Sequence, residues 1–216
     1  MRFVWTFLVF LNTQAALACE QPVCLVDPDA LALRKIITFE ETRSSPGPGH
    51  LISNLLVLDG AVFGERFAGQ SIQPVGDHDD VAGDALFPLT LMPGDRGQNL
   101  SVVQFKGNNV LNGYGHAGFP KRRAQGEGAI SFLFDEDQSA LSFQIRGGES
   151  GAAKAAFLSR DGRVIALLDL PAAGEYHYGF IRANGAADIA GVVVTNRDPA
   201  GVAMDNVRFG TPPDLS

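Results

Sequence analysis

The stretch "LSFQIR", Leu141 to Arg146, decides the fold. Leu141, Phe143 and Ile145 alternate with Ser142, Gln144 and Arg146, and a period of two places one set against a core and the other in water. Outward from it the pattern recurs at close spacing: "AISFLF" (129–134) before it, then "AAFLS" (155–159), "RVIALLDL" (163–170), "EYHYGFIR" (175–182), "DIAGVVVTN" (188–196) and "AMDNVRF" (203–209). "DGR" at 161–163 reads as a hairpin turn, and "DEDQ" at 135–138 as the turn that closes its strand. The first half adds "IITFEE" (36–41), "LISNLLVL" (51–58), "AVFGERF" (61–67) and "LSVVQF" (100–105). Short strands in such number, with 25 glycines and 12 prolines between them and no helical period, predict an all-β chain. The expected architecture is an antiparallel β-sandwich with sheets about 10 Å apart, not a parallel α/β sheet.

The N-terminus sets the address. "MRFVWTFLVFLNTQAALAC" carries one basic residue, an apolar run from Phe3 to Leu11 and small residues ending at Ala18, the layout of a secretory signal peptide over 1–18. The run is far shorter than the ~20 residues a membrane-spanning helix needs. Export to a secreted or periplasmic location is therefore expected, with one domain in the remaining chain.

Residues 19–35 form an N-terminal arm. Its pair Cys19 and Cys24, the chain's two cysteines, reads as a local disulfide in an oxidising compartment. The alternative is a lipid-anchored protein modified at Cys19. No second cysteine pair exists to complete a zinc site. "VDPDALALRK" supplies Asp27 as a cap and Pro28 in the first turn of a short helix. The sandwich should span 36–210 and leave a loose tail at 211–216.

Net charge is −7, which argues against nucleic acid or an anionic membrane as partner and is compatible with cations or neutral molecules. The one tryptophan, Trp5, lies in the signal segment. Catalytic motifs are weak. Ser150 in "GESGA" (148–152) sits where a hydrolase nucleophile stands, yet the motif needs a helix after it and a strand follows. No strand carries a Glu-x-Asp-x-x-Glu arrangement for glycosidase acids. "GDHDDVAGD" (76–84) lacks the spacing of an EF-hand loop and reads as a solvated acidic loop. In "NGYGHAGFP", Tyr114, His116 and Phe119 share a glycine-rich loop where aromatic faces could stack on a sugar, with loop packing as the alternative. His177, between Tyr176 and Tyr178, reads as an outward strand residue.

Asp205 and Asn206 stand inside a strand-like run, and simple alternation would put Asp205 on the apolar face of Val207 and Phe209. Here a resemblance adds to the reading. "ITFEE", "GERFAG", "GEGAISFLFD", "ALSFQIRGG", "AAFLSRDGRVI", "GFIRA", "DIAGVVVTN" and "AMDNVRFG" resemble the jelly-roll domain of secreted bacterial proteins, many of them PEP-CTERM proteins, and more distantly carbohydrate-binding jelly rolls. The likeness spans about 36–210. It implies a jelly roll whose first and last strands lie side by side, with calcium held by Glu40 of "FEE" and Asp205 of "MDNV". A bridging role for Asp205 and Asn206 at the strand start is the alternative. The function it implies is a secreted, non-catalytic module, calcium-stabilised and glycan-binding or structural, with a polysaccharide or envelope component as partner. The alternative is a glycan hydrolase or lyase on the same fold.

Overall fold

The computed structural model describes residues 19–150, 153–171 and 174–210. The expected signal segment and tail lie outside them. The strands are β1 (Val23–Val26), β2 (Lys35–Ile37), β3 (His50–Ile52), β4 (Leu56–Leu58), β5 (Ala61–Gly64), β6 (Arg66–Phe67), β7 (Ser71–Val75), β8 (His78–Ala82) and β9 (Leu91–Met92) in the first half. The second half holds β10 (Leu100–Phe105), β11 (Asn108–Gly113), β12 (Ile130–Gln138), β13 (Ala140–Gly147), β14 (Ala153–Leu158), β15 (Val164–Leu170), β16 (Tyr176–Arg182), β17 (Ile189–Asn196) and β18 (Val202–Phe209).

These build an antiparallel jelly-roll β-sandwich. An eight-stranded sheet runs β1-β16-β13-β18-β11-β10-β3 with β2 also on β18, and a six-stranded sheet runs β15-β14-β17-β12-β5-β4. Two small ribbons, β6-β9 and β7-β8, complete it. The apolar set behaves as the period requires, with Leu141, Phe143 and Ile145 of β13 buried between the sheets beside Phe132, Phe157, Phe180 and Met204, whereas Ser142 on the opposite face is buried too and not in water. Phe143 lies 4.9 Å from Phe180, and Phe180 lies 5.0 Å from Phe157, ring centre to ring centre. Each fully buried phenylalanine contributes roughly 1.5–3 kcal/mol of transfer free energy.

The Asp205 anomaly resolves into a β-bulge. On β13, Ser142 and Gln144 pair with Arg208 and Asp205 of β18, so two steps on one strand face three on the other. Asn206, at φ 49°, is the extra residue in the left-handed region. It resets the alternation: Asp205 faces outward with Ala203, while Val207 and Phe209 return to the core. The expectation that Asp205 shares their face is therefore corrected. The bulge is also where β18 changes partner along one edge, since β11 pairs with Ala203 and Met204, and β2 with Val207 to Phe209. The first ribbon of the sandwich and the last do lie side by side.

Several expected elements differ. "IITFEE" is a strand only through Ile37, because Phe39 turns the chain at φ 60°. "LISNLLVL" divides into β3 and β4, which belong to different sheets. "DEDQ" is no turn: β12 continues through it, with a register shift after Leu133 that lets Gln138 pair with Ile189. The arm is not outside the domain either. β1 pairs along β16 as an edge strand, and the 3-10 turn Pro28–Leu31, capped by Asp27 accepting from Asp29 N at 3.0 Å, packs on β16. A disulfide joins Cys19 to Cys24 across a Cα separation of 5.9 Å, which is compatible with an extracellular location. Among the described residues no helix is long and apolar enough to cross a membrane.

Candidate functional site

The outer face of the eight-stranded sheet carries an open groove of about 560 Å³. Its position follows from strand phase. Leu100, Val102 and Leu111 point into the core, so Val103, Phe105, Val110 and Asn112 point out. Val103 and Val110 close on Ala203 of β18 to make an apolar floor. Loop segments wall it in: Gly47 and Pro48 on one side, Pro120, Arg122 and Gln125 on another, and Ala200 and Gly201 at the turn before β18. Gly201 admits no side chain, since a Cβ there would stand 2.5 Å from the Gln125 carbonyl oxygen.

Two donors in this lining are buried without a partner in the protein, Asn112 Nδ2 and Arg146 Nε. Asn112 is 5% exposed. A buried amide with an unmade hydrogen bond carries a desolvation cost of ~1–3 kcal/mol that an acceptor in the groove would remove. The rest of the Arg146 guanidinium is engaged, Nη2 with Asp205 Oδ2 at 3.2 Å and Nη1 with Glu175 Oε1 at 3.5 Å. Phe105, 46% exposed, is the aromatic ring of the lining, with Lys106 Nζ 5.1 Å from its centroid. A flat apolar face beside convergent polar donors is what a sugar ring requires.

The three residues expected to touch a sugar do other work. Tyr114 is fully buried; its hydroxyl donates to the Pro48 carbonyl at 2.9 Å and its ring meets Phe119 edge-on at 5.2 Å. Tyr114 thus ties two groove walls together from behind and offers no face to a ligand. Phe119 is its half-buried packing partner. His116 turns away to Asp79, Nδ1 to Oδ1 at 3.0 Å. Loop packing, the alternative reading of this segment, describes Tyr114 and its contact with Phe119, while His116 and Phe119 stay partly exposed.

Asp79 also corrects the solvated acidic loop. Only the turn of "GDHDDVAGD" is a loop; His78 to Ala82 form β8, and Asp79 is fully buried. It belongs to a polar cluster with Glu65 and Glu127. Burial pushes the carboxyl of Asp79 above its ordinary value against the pull of His116. Burial likewise pushes Glu65 up to about 7, opposed by Arg66, and Glu127 up to about 7, opposed by the Asn196 amide that donates to it at 2.7 Å. Ser150, the weak nucleophile candidate, presents its backbone N–H to Asp198 Oδ2 at 2.7 Å.

Glu40 and Asp205 come to neighbouring residues of β11. Glu40 Oε1 accepts from Asn109 N at 2.9 Å, and Asp205 Oδ2 accepts from Asn108 Nδ2 at 2.6 Å. Asp205 Oδ1 accepts from Asn206 N at 2.7 Å, so donors hold both its oxygens. The carbonyls of Phe39, Glu40 and Thr42 converge on Asn109 Nδ2 at 3.3, 3.3 and 3.4 Å. An amide has two protons for those three oxygens. Among the described residues no group of three or more His, Cys, Asp or Glu side chains could hold a metal ion.

The fold and site together define an antiparallel β-sandwich with an open groove, apolar at its floor and polar at its walls, on the outer face of the larger sheet. No family model matches the chain, and no curated protein matches it. Solved structures similar to it include three single-site variants of CBM29-2, described as family 29 carbohydrate binding modules, one of them complexed with cellulohexaose. They are 12%, 13% and 12% identical to it, with TM-scores of 0.32, 0.20 and 0.19. The matches cover 72%, 72% and 74% of this chain and 96%, 98% and 99% of those chains. A likeness that loose carries no argument about fold or ligand, and the sandwich rests on its own strand pairing.

Proposed function

We propose that the protein is an exported, non-catalytic glycan-binding module that engages a polysaccharide of the matrix or envelope through the groove over β10, β11 and β18. One observation carries the reading: Asn112 Nδ2 and Arg146 Nε, buried and unpartnered in the protein, line an open groove with an apolar floor. Sugars present hydroxyl and ring oxygens as acceptors and C–H faces for apolar contact, which answers both features. Binding is favoured over a hydrolase or lyase because the described residues lining the groove are apolar, amide or cationic, without a carboxylate to act as acid or base. A glycan array probed with the purified protein tests the reading, and release of reducing ends or unsaturated sugars from a bound glycan would favour the enzyme instead.

Calcium is the second part of the proposal. What supports it is the oxygen-rich corner formed by the Phe39, Glu40 and Thr42 carbonyls beside the Glu40 carboxylate, the hard ligands calcium prefers. Glu40 fits the ion. Asp205 fits it less well, since Arg146 already balances its charge. The ion's role there is structural, linking the turn after β2 to the start of β11.

A further inference from the structure

We infer that the glycan is acidic: a polysaccharide bearing uronate carboxylates along its chain. The inference rests on the glycan-binding reading of the same groove and adds its chemical class. Arg122 and Arg146 are the charged side chains of the lining. The charge of Arg146 is already met by Asp205 beneath it and Glu175 beside it. That of Arg122 is not. It stands in "KRR", Lys121 to Arg123, the one run of three consecutive basic residues in a chain of net charge −7. All three are exposed, and none makes an ion pair with a described carboxylate.

The arrangement is segregated as well as basic. The 3-10 turn Arg122–Ala124 forms one bank of the groove, and Lys106, over the Phe105 ring, adds a further cation beside the lining. An acidic protein that gathers unpaired cations beside its groove sets up a local field opposite to its net charge, which attracts anionic chains and repels them elsewhere. A uronate offers a planar carboxylate that a guanidinium can grip with two parallel hydrogen bonds. Its hydroxyls and ring oxygen remain for Asn112 and the Phe105 face. A neutral glucan offers Arg122 hydroxyl acceptors but no charge to balance its own.

The test is retardation in native gels containing polygalacturonate, alginate, hydroxyethylcellulose or xyloglucan, followed by titration calorimetry with an oligogalacturonate and with cellohexaose. Expected are retardation by the acidic polymers, weakening as salt rises from 0.05 to 0.5 M, and a loss of about five- to tenfold in oligogalacturonate affinity in Arg122→Gln. Arg122 is exposed, so this variant keeps the fold, and an unchanged melting midpoint checks that. Equal or stronger retardation by the neutral polymers overturns the acidic assignment and leaves the glycan reading intact. Retardation by none of the four removes the glycan reading and this inference with it. Acidic retardation that survives both Arg122→Gln and Asn112→Ala places the attraction outside the groove and overturns the inference. Equal affinity for a single-stranded oligonucleotide also overturns it, in favour of unspecific polyanion attraction.

Discussion

Arg146 of β13 and Asp205 of β18 meet on the outer face of the sheet, Nη2 to Oδ2 at 3.2 Å, one strand apart at the step where the bulge turns Asp205 out of the core. Asp205 is fully buried there, and its oxygens also receive Asn206 N and Asn108 Nδ2. Asp205→Ala takes the buried partner from Arg146 Nη2, leaving Arg146 only Glu175, and strands two donors with it, so a loss of about 3 kcal/mol is expected in urea unfolding. Asp205→Asn keeps an acceptor for Asn206 N and should lose roughly half as much. Losses under about 1 kcal/mol for both would show that the pair is not what holds the step.

The bulge itself depends on one residue accepting a left-handed backbone. Asn206 does so at φ 49° and ties its side chain to Gln144 Oε1 at 2.8 Å. Asn206→Val puts a β-branched side chain where L-residues are strained, and about 2 kcal/mol or more of stability should go. Asn206→Gly relieves the backbone and forfeits only the side-chain bond, about 1 kcal/mol. Urea midpoints in the order wild type, Gly, Val from most to least stable check the assignment, and a Val variant as stable as wild type refutes it.

Strand phase was legible in the sequence wherever one face is apolar and the run is long. "LSFQIR" became β13 with Leu141, Phe143 and Ile145 on the core face, and "LSVVQF" became β10, where the apolar Val103 and Phe105 nonetheless point outward. β11 was not legible, because "NNVLNG" is asparagine and glycine at four of its six positions and reads as turn chemistry. Tertiary pairing with β10 and β18 makes it a strand, and with it the groove lost its key residue, Asn112. The aromatic residues in "NGYGHAGFP" misled for a related reason: a buried tyrosine holding two loops together has the same local sequence as an exposed one. The outward position of Arg146 could be read from alternation, and its bond to Asp205 could not, since a one-residue bulge leaves no periodic signal beyond the out-of-place Asp-Asn pair.

The polar cluster gives the protein a pH dependence of definite sign. Glu65 and Glu127 each titrate in the folded chain at about 7, against an ordinary value of 4.5. Below about 4.5 both folded and unfolded states keep the proton, and the contribution to stability is whole. As pH rises toward 7 the unfolded chain releases protons that the folded chain retains, so stability falls, and above about 7 that contribution is gone. Thermal melts from pH 5 to 9 should show a declining midpoint that flattens past neutrality, with a total on the order of a few kcal/mol. Glu127→Gln keeps an acceptor for Asn196 and removes its share of the slope; an unaltered slope in that variant rules Glu127 out as a source.

Calcium should raise the melting midpoint through the Glu40 corner. At ~100 times its Kd a ligand of the folded state alone adds about 2.7 kcal/mol, which for a chain of this size is a shift of roughly 5–10 °C. Melts in calcium and then in excess chelator measure it directly. Glu40→Gln should abolish the shift. Coincident curves in the wild type would remove the ion from the account, and a shift that survives Glu40→Gln would move it elsewhere.

Asn112 offers the cleanest separation of binding from folding. A buried asparagine normally costs the fold dearly when truncated, because its partners are left unpaired. The Nδ2 group here has no partner in the protein, so Asn112→Ala strands no group that its amide was satisfying. Its urea midpoint should stay within about 0.5 kcal/mol of wild type. The same truncation removes a buried, unpartnered donor from a groove floor that Val103, Val110 and Ala203 otherwise keep apolar. Glycan affinity should fall by about tenfold or more, the worth of one buried hydrogen bond. Lost binding at unchanged stability is the signature of a ligand contact. Lost stability at unchanged binding would mean that Asn112 serves the sheet, and the site would have to be sought on another face.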